Sequence, residues 1–204
     1  MTGAEAAPVG VLALQGDAPE HAAAAAALVG PKRVRLVLEP ADVSGLGALL
    51  LPGGESTTLS RLLDESGLRA PLTAAGRSGL PILGTCAGLI LLARELEPSP
   101  GGKDPVPLGL LGVRVRRNDY GRQAESFEAP IPFPDLPGGP FPGAFIRAPR
   151  ILEVTPPTRT LAQLAGHPVA VREGTLWGLT FHPELSGDLR LHRLFLSSAG
   201  LLGG

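Results

Sequence analysis

The segment Gly84-Thr85-Cys86-Ala87-Gly88 places the single cysteine of the chain where it can act as a nucleophile. An apolar strand-like segment precedes it (80–83, LPIL), and an apolar helical run follows it (89–93, LILLA). A strand, the pattern G-x-C-x-G and a helix form the order of a nucleophile elbow, with cysteine in place of serine. Such a turn exposes the sulfur, and a helix N-terminus favours the thiolate. We therefore predict that Cys86 attacks a substrate and that the amide of Ala87 faces the developing oxyanion.

The alternative for Cys86 is an inert, buried position, which is the commoner role of a lone cysteine. A single cysteine forms neither an internal disulfide nor a cysteine-based zinc site, so reactivity is the property to consider. The elbow context favours the nucleophile over the inert residue.

One of the four histidines lies in a sequence that suits a catalytic base. Proline follows His182 and biases it towards extended backbone, so the side chains of His182 and Glu184 are expected to project to the same side. A carboxylate that orients an imidazole is the base half of a catalytic triad. Alone, His-Pro-Glu is typical of a solvated turn, but together with the elbow it predicts a Cys86-His182-Glu184 triad. We assign structural or solvated positions to the other histidines: His21, His167 and His192.

A second glycine-rich segment follows another apolar strand and precedes a helix (51–56, LPGGES). Glycine amides approach a ligand closely, so the N–H of Gly54 is a candidate second donor to an oxyanion. The structural alternative is a glycine turn followed by a helix N-cap, for which Ser56 or Thr57 is suited. The two roles are compatible.

The elements that must position these residues follow from the alternation of short apolar runs with helical patterns in the first half of the chain. Runs such as 10–14 (GVLAL) and 48–51 (ALLL) are apolar on both faces, as expected when helices cover both sides of a sheet. We predict a doubly wound, mostly parallel α/β sheet of the flavodoxin-like kind. Polar alternation between residues 109 and 181 predicts antiparallel additions in the second half. Proline-rich stretches at 97–107 and 130–142 are interpreted as surface loops of one domain spanning residues 1–204.

Composition restricts the partners. The formal net charge is -1 and no long basic cluster is present, which argues against nucleic-acid binding. The apolar runs fall far short of the roughly 20 residues that a membrane-spanning helix needs. The first residues lack the pattern of a secretory signal, so a cytoplasmic location is expected.

These motifs together resemble the class I glutamine amidotransferase family, and within it the glutaminase subunits of pyridoxal 5'-phosphate synthase. The similarity extends in order along nearly the whole chain. It lies in 14–17 (LQGD) with Glu20-His21, 51–58 (LPGGESTT), 84–90 (GTCAGLI), 117–123 (RNDYGRQ), 126–128 (SFE), 145–149 (FIRAP) and 182–185 (HPEL).

The resemblance implies hydrolysis of L-glutamine to glutamate, with the ammonia passed to a separate synthase subunit in a large hetero-oligomer. It implies neither a cofactor nor a metal ion. Glutamine contacts are implied for Gly54, Glu55, Ser56, Arg117, Ile146 and Arg147. Independently of the resemblance, free glutamine carries an ammonium and a carboxylate, so an acid such as Glu55 and a base such as Arg117 or Arg147 suit it. Gln15 matches a loop that, by resemblance, lies near the synthase contact and orders the oxyanion hole.

Three alternatives remain at this point. A glutaminase subunit of another pathway, such as imidazole glycerol phosphate synthase, shares the size and the triad, but the RNDYGRQ and FIRAP segments weigh against it. A cysteine hydrolase or chaperone-like relative would use the elbow without needing Glu55, Arg117 and Arg147. An inactive scaffold would not need Cys86, His182 and Glu184.

Overall fold

Twelve strands in three sheets, together with five α-helices, make up the part of the chain that the computed structural model describes, residues 6–100, 103–117 and 126–202. The strands are β1 (Val9–Leu12), β2 (Val34–Val37), β3 (Ala48–Leu51), β4 (Ile82–Thr85), β5 (Ala93–Leu96), β6 (Leu111–Arg116), β7 (Phe127–Ile131), β8 (Phe141–Phe145), β9 (Arg150–Val154), β10 (Arg159–Leu164), β11 (His167–Glu173) and β12 (Leu176–Leu179). The helices are α1 (Ala18–Val29), α2 (Ser56–Glu65), α3 (Arg69–Arg77), α4 (Ala87–Leu92) and α5 (Arg190–Ser198).

The central sheet has seven strands in the order β10-β11-β12-β4-β3-β1-β2. The five strands from β12 to β2 pair in parallel, whereas β11 pairs antiparallel with both β10 and β12. The order β2-β1-β3-β4-β12 corresponds to the flavodoxin-like arrangement of doubly wound folds. The predicted fold class, a mostly parallel α/β sheet with antiparallel additions, is confirmed.

Alternate residues of the central strands enter two separate apolar clusters, one on each face of the sheet. In β3, Ala48 and Leu50 belong to the first cluster, while Leu49 and Leu51 belong to the second. Side chains of a strand alternate between faces, so a strand that is apolar throughout requires cover on both sides. The ALLL sequence of β3 is fully buried for this reason.

The second half of the chain adds two smaller sheets, β5-β6-β9 and β7-β8. The pairs β6-β9 and β7-β8 are antiparallel, as the polar alternation predicts, whereas β5-β6 is parallel. Strand bounds differ slightly from expectation, since the strand before the elbow begins at Ile82 rather than Leu80. Within the described residues, no helix is both long and apolar enough to cross a membrane.

Four parallel strands of the central sheet lead directly into the loops that carry the candidate catalytic residues. The chain leaves β1 towards Asp17, β3 towards Gly54, β4 at Cys86 and β12 towards His182. Because the carboxyl ends of parallel strands lie at one edge, loops distant in sequence converge there. Ligand sites of open α/β sheets form at this edge.

Candidate active site

Cys86 lies between β4 and α4 with a backbone φ of 48° and ψ of -101°. A positive φ is strained for a residue other than glycine and is typical of functional turns. The turn is anchored on both sides, because the amide of Cys86 donates to the carbonyl of Leu179 (2.9 Å) and its carbonyl accepts from the amide of Ile90 (3.2 Å). The geometry is that of a nucleophile elbow.

Both glycines of the G-x-C-x-G pattern lie where a side chain does not fit. A Cβ atom on Gly84 would come within 2.7 Å of the backbone of Gly88. A Cβ atom on Gly88 would lie 2.1 Å from the carbonyl oxygen of Leu51. The spacing of the motif therefore reflects the close approach of α4 to strands β3 and β4, as well as the turn itself.

His182 and Glu184 are in direct contact. His182 has extended backbone (φ -105°, ψ 90°), and its amide donates to the carbonyl of Ala144 at 2.8 Å. Nδ1 of His182 lies 2.8 Å from Oε1 of Glu184, whose side chain is fully buried. Glu184 lies in a short 3-10 turn, Pro183–Leu185, and not on continued extended backbone. The contact nevertheless leaves Nε2 of His182 as the nitrogen for proton transfer.

Asp17, a residue to which the sequence motifs assigned no role, also contacts the imidazole of His182. Its Oδ2 lies 3.2 Å from Nδ1 of His182. The approach depends on Gly53, because a Cβ atom there would lie 2.3 Å from the His182 ring and 2.7 Å from Oδ2 of Asp17. The available signal was position: Asp17 follows the carboxyl end of β1, at the edge of the sheet that carries Cys86.

The two carboxylates change the electrostatics of the base. Burial alone would lower the pKa of His182, but interactions with Asp17, Cys86 and Glu184 outweigh burial and hold it well above its ordinary value. Burial raises the pKa of Glu184, although the contact with His182 opposes this effect. Nε2 of His182 is buried and makes no hydrogen bond to the described residues. The arrangement stabilises an imidazolium beside Cys86.

A metal ion has one conceivable set of ligands among the described residues. Ligand atoms of Asp17, His182 and Glu184 lie within 4.8 Å of one another. The 2.8 Å hydrogen bond between His182 and Glu184 already accounts for their proximity. A cysteine paired with an oriented histidine is instead suited to covalent attack on a carbonyl group.

Cys86 and His182 open into a cavity of about 240 Å³. Every residue for which a glutamine contact was predicted from the sequence lines it. The lining residues are Gln15, Asp17, Gly54, Glu55, Ser56, Cys86, Ile90, Arg117, Ile146, Arg147 and His182. Ile90, which was not predicted, adds an apolar wall from α4.

Comparison with known proteins identifies the family. The family model described as the SNO glutamine amidotransferase family matches residues 11–200. The chain belongs to the SNO glutamine amidotransferase family.

Relatives within this family match almost end to end. A protein of Deinococcus radiodurans named pyridoxal 5'-phosphate synthase subunit PdxT is 50% identical over 94% of this chain and 97% of its own length. A PdxT protein of Mycolicibacterium vanbaalenii is 47% identical over 93% of this chain and 96% of its own length. A solved structure titled as a glutamine amidotransferase is 42% identical, with a TM-score of 0.84, and covers 94% of this chain and 98% of its own. PurLQS from Thermotoga maritima, at 14% identity over 95% of this chain and 99% of its own, shares the fold (TM-score 0.64).

Glu55 caps helix α2 in this member of the SNO family, where Ser56 or Thr57 was expected to do so. Its carboxylate accepts from the amides of Thr57 (3.2 Å) and Thr58 (2.7 Å). The expectation was wrong because a longer acidic side chain in extended backbone reaches the same orphan amides. Partial burial would raise the pKa of Glu55, but these hydrogen bonds and Arg117 lower it overall.

The two candidate arginines of the cavity differ in their surroundings. Arg117 is largely buried and contacts Asp104 (3.1 Å), Thr57 (3.0 Å) and Glu55 (3.5 Å). Arg147 is exposed, has a positive φ of 44°, and makes no ion pair with the described residues. The rest of the RNDYGRQ segment, residues 118–123, lies outside the described part of the chain.

The glycine loop after β3 is held by the loop after β1. Oε1 of Gln15 accepts from the amide of Glu55 at 3.0 Å. Gly54 has a φ of 143°, and a Cβ atom there would lie 2.6 Å from Oε1 of Gln15. Gln15 therefore fixes the backbone that carries the candidate oxyanion donor.

The sequence predicted either a structural or a solvated position for His21 and His192. Both residues are buried, so the solvated position is wrong for both. Nε2 of His21 lies 3.3 Å from Oε2 of Glu184. Helix α1 brings His21 to this place from 163 positions earlier in the chain, which no local motif indicates. The catalytic-site candidates thus extend beyond the three residues that the sequence motifs single out.

Proposed function

We propose that this chain is the glutaminase subunit of a pyridoxal 5'-phosphate synthase and works as one domain spanning residues 1–204. The observation that carries the proposal is the strained Cys86 elbow beside the His182-Glu184 pair, in a cavity lined by every predicted glutamine contact. Relatives at 47% and 50% identity bear the name pyridoxal 5'-phosphate synthase subunit PdxT. The cytoplasmic location stays a prediction.

In the proposed first step, His182 takes the proton of Cys86 and the thiolate attacks the side-chain carboxamide of glutamine. The amides of Gly54 and Ala87 stabilise the tetrahedral oxyanion. Return of the proton from His182 to the departing nitrogen breaks the C–N bond and releases ammonia. The product of this step is a γ-glutamyl thioester on Cys86.

The second step regenerates the enzyme. His182 accepts a proton from water, the hydroxide adds to the thioester carbonyl, and glutamate leaves as the Cys86 sulfur recovers the proton. Glu184 and Asp17 hold the imidazole through Nδ1 in both steps, since each lies within 3.2 Å of that atom. Proton transfer therefore uses Nε2 throughout.

The far end of the cavity suits the amino-acid head of glutamine. The guanidinium of Arg147, which makes no ion pair with the described residues, is placed to bind the α-carboxylate, because Arg117 is already engaged by Asp104 and Glu55. In this proposal Glu55 binds the α-ammonium while capping α2, since a carboxylate accepts several hydrogen bonds. Arg117 fixes Glu55, and Ser56 and Ile146 complete the wall.

The partner follows from the product and from the relatives. Ammonia released at Cys86 needs an acceptor protected from water, and the name shared by the relatives denotes one subunit of a synthase. We infer that an ammonia-accepting synthase subunit docks against this chain in a hetero-oligomer. The Gln15 loop, which holds Gly54 and Glu55, is the proposed link between docking and the oxyanion hole.

The experiment is glutamate release from L-glutamine by the purified chain, with and without the pyridoxal 5'-phosphate synthase subunit of the same organism. Strong stimulation by that subunit is the expected result. Glutaminase activity that ignores the partner would keep the chemistry but point to another synthase. Absence of activity in both conditions would leave an inactive scaffold and overturn the proposal.

A further inference from the structure

A buried chain of polar side chains continues from Glu184 into the interior. Nε2 of His21 lies 3.3 Å from Oε2 of Glu184 and 3.0 Å from Oγ1 of Thr85. Nδ1 of the same ring lies 3.1 Å from Nε2 of His192, and the two rings meet at 61°. All three partners of His21 are buried, and His21 itself is 0% exposed. These contacts connect α1, β4, α5 and the 3-10 turn of Glu184.

The mechanism proposed above leaves His21 without a role, yet its position joins both halves of the site. Thr85 is the last residue of β4 and immediately precedes Cys86. Glu184 holds the imidazole of His182. One ring thus contacts the strand that carries the nucleophile and the acid that orients the base.

The charge state of His21 follows from its surroundings. Burial, then the nearby His192 and His182, lower the pKa of His21 well below its ordinary value, so the ring is neutral. A neutral imidazole carries one N–H, on either Nδ1 or Nε2. Oε2 of Glu184 lies 3.3 Å from Nε2, and a lone pair on Nε2 would oppose the lone pairs of that oxygen. The proton therefore belongs on Nε2, while Nδ1 accepts from the Nε2–H of His192.

We propose that His21 is a positioning residue of the glutaminase site, acting through Glu184. Its Nε2–H donates to Oγ1 of Thr85, and Nε2 lies 3.3 Å from Oε2 of Glu184, an oxygen that has no hydrogen-bond partner among the described residues. The contact with His192 fixes the tautomer of the ring. The Nε2–H donor favours the ionised form of Glu184 and holds its carboxylate in place in a buried pocket. It also ties the position of the base to the position of Cys86.

The inference rests on the proposed glutaminase function, and substitutions at His21 test it in the complex with the synthase subunit. His21→Leu fills the space without a donor, whereas His21→Gln offers an N–H near the place of Nε2. In metal sites, loss of the group that orients a ligand histidine lowers metal affinity or activity about 10- to 100-fold, and we expect an effect of similar size for a group that orients Glu184. For His21→Leu we expect kcat to fall by this factor while KM for glutamine stays unchanged. For His21→Gln we expect most of the wild-type kcat to be recovered.

Ser60→Ala is the matched control. Ser60 is also buried and hydrogen-bonded, to the amide of Val106 (2.9 Å) and to Arg69 (2.9 Å), but it does not line the cavity. The Ser60→Ala substitution should lower the midpoint of urea unfolding without lowering kcat of the folded enzyme. Equal kcat for wild type and His21→Leu, or equal losses in His21→Leu and His21→Gln, would overturn the proposal. A wild-type enzyme without glutaminase activity would instead refute the proposed function.

A measurement on the unmodified protein keeps the test independent of how the variants fold. Nitrogen-15 NMR of the histidine rings distinguishes a protonated from an unprotonated ring nitrogen. At neutral pH, His21 should carry its proton on Nε2 and none on Nδ1. A proton on Nδ1, or on both nitrogens, would refute the tautomer on which the inference depends.

Discussion

Asp17 and Glu184 share one nitrogen of His182: Nδ1 lies 3.2 Å from Oδ2 of Asp17 and 2.8 Å from Oε1 of Glu184. The two carboxylates differ in environment, because the side chain of Asp17 is 32% exposed and that of Glu184 is fully buried. Glu184 makes the shorter of the two contacts and fixes the orientation of the His182 ring. Asp17 adds negative charge from the solvent side and supports the positive form of His182.

Asp17→Asn should therefore lower the pKa of His182 while leaving the ring in place. A charge-assisted hydrogen bond from a partly exposed carboxylate contributes about 1.4 kcal/mol, which corresponds to about one pH unit. Loss of the proton from His182 ends general-acid catalysis, so the alkaline decline of kcat/KM should begin at lower pH in the variant. The pH profile of glutamate release measures this shift.

Asp17→Glu serves as the control for that prediction, since it keeps the charge on a longer side chain. Its alkaline decline should stay close to that of the wild type. Superimposable profiles for Asp17→Asn and the wild type would mean that Asp17 has no electrostatic effect on the base.

The nucleophile elbow and the catalytic base could be predicted from the sequence because both are local patterns. Cys86 is recognised from neighbours within two positions, and the glycines there exclude larger residues through contacts with Leu51 and with each other. His182 is recognised from the proline and acid that follow it. Alternating apolar strands likewise predict the sheet, since burial on both faces leaves a sequence signature.

Contacts made across the sheet leave no such signature. His21 and His192 are separated by 171 positions and meet only because α1 and α5 lie on the same face of the sheet. Asp17 reaches His182 because β1 and β12 end at the same edge. Local patterns in one sequence identify the residues of a single loop, but they do not indicate which side chains from distant parts of the chain contact those residues.

Cys86→Ala should abolish glutamate release while glutamine still binds. The substitution removes the nucleophile, but Glu55, Arg117 and Arg147 remain in the cavity. The backbone φ of 48° at this position is strained for alanine as it is for cysteine, so the substitution adds no backbone strain at the elbow. Turnover assays and calorimetric titration with glutamine measure the two properties separately. Residual turnover above the level of an enzyme-free control would exclude Cys86 as the nucleophile.

Arg147→Gln should weaken glutamine binding with a smaller effect on the chemical step. The guanidinium makes no ion pair with the described residues and is proposed to hold the substrate α-carboxylate. Loss of a charge-assisted pair of about 1.5–3 kcal/mol corresponds to a KM about 10- to 100-fold higher. Arg193→Gln, an exposed position on α5 outside the cavity, should leave KM unchanged. Equal KM values for both variants would remove Arg147 from the substrate site.

Acid should destabilise the fold through the buried histidines. Burial lowers the pKa of His192 to about 4, and the pKa of His21 is lowered by burial and by the neighbouring histidines. In the unfolded chain, histidine titrates near 6.5, so the unfolded state binds more protons as the pH falls below about 6.5. The contribution of these two histidines to stability is therefore full above that value and declines towards about pH 4, by up to roughly 1.4 kcal/mol per pH unit for each histidine.

Glu184 acts in the opposite direction, because its raised pKa favours the folded state at low pH, so a comparison of variants is needed. His192→Gln keeps an N–H donor but does not titrate. Urea unfolding at several pH values should show a shallower loss of stability in the variant than in the wild type. Parallel curves would contradict a neutral, buried His192.

Gly88→Ala should disrupt the elbow far more than an alanine in an open turn. The added Cβ would lie 2.1 Å from the carbonyl oxygen of Leu51, so α4 or β3 must shift. Overpacking typically costs about 1–3 kcal/mol, and we expect the upper end of that range for a contact with backbone. The shift would also displace the Cys86 amide, which donates to the carbonyl of Leu179. Gly79→Ala is the control: its φ is 93°, but its Cβ would meet nothing within 4 Å, so only about 1 kcal/mol of backbone strain is expected. The two unfolding free energies from urea titration, and kcat of each folded variant, give the comparison. A Gly88→Ala protein as stable and as active as Gly79→Ala would mean that the close contact between α4 and β3 does not shape the nucleophile turn.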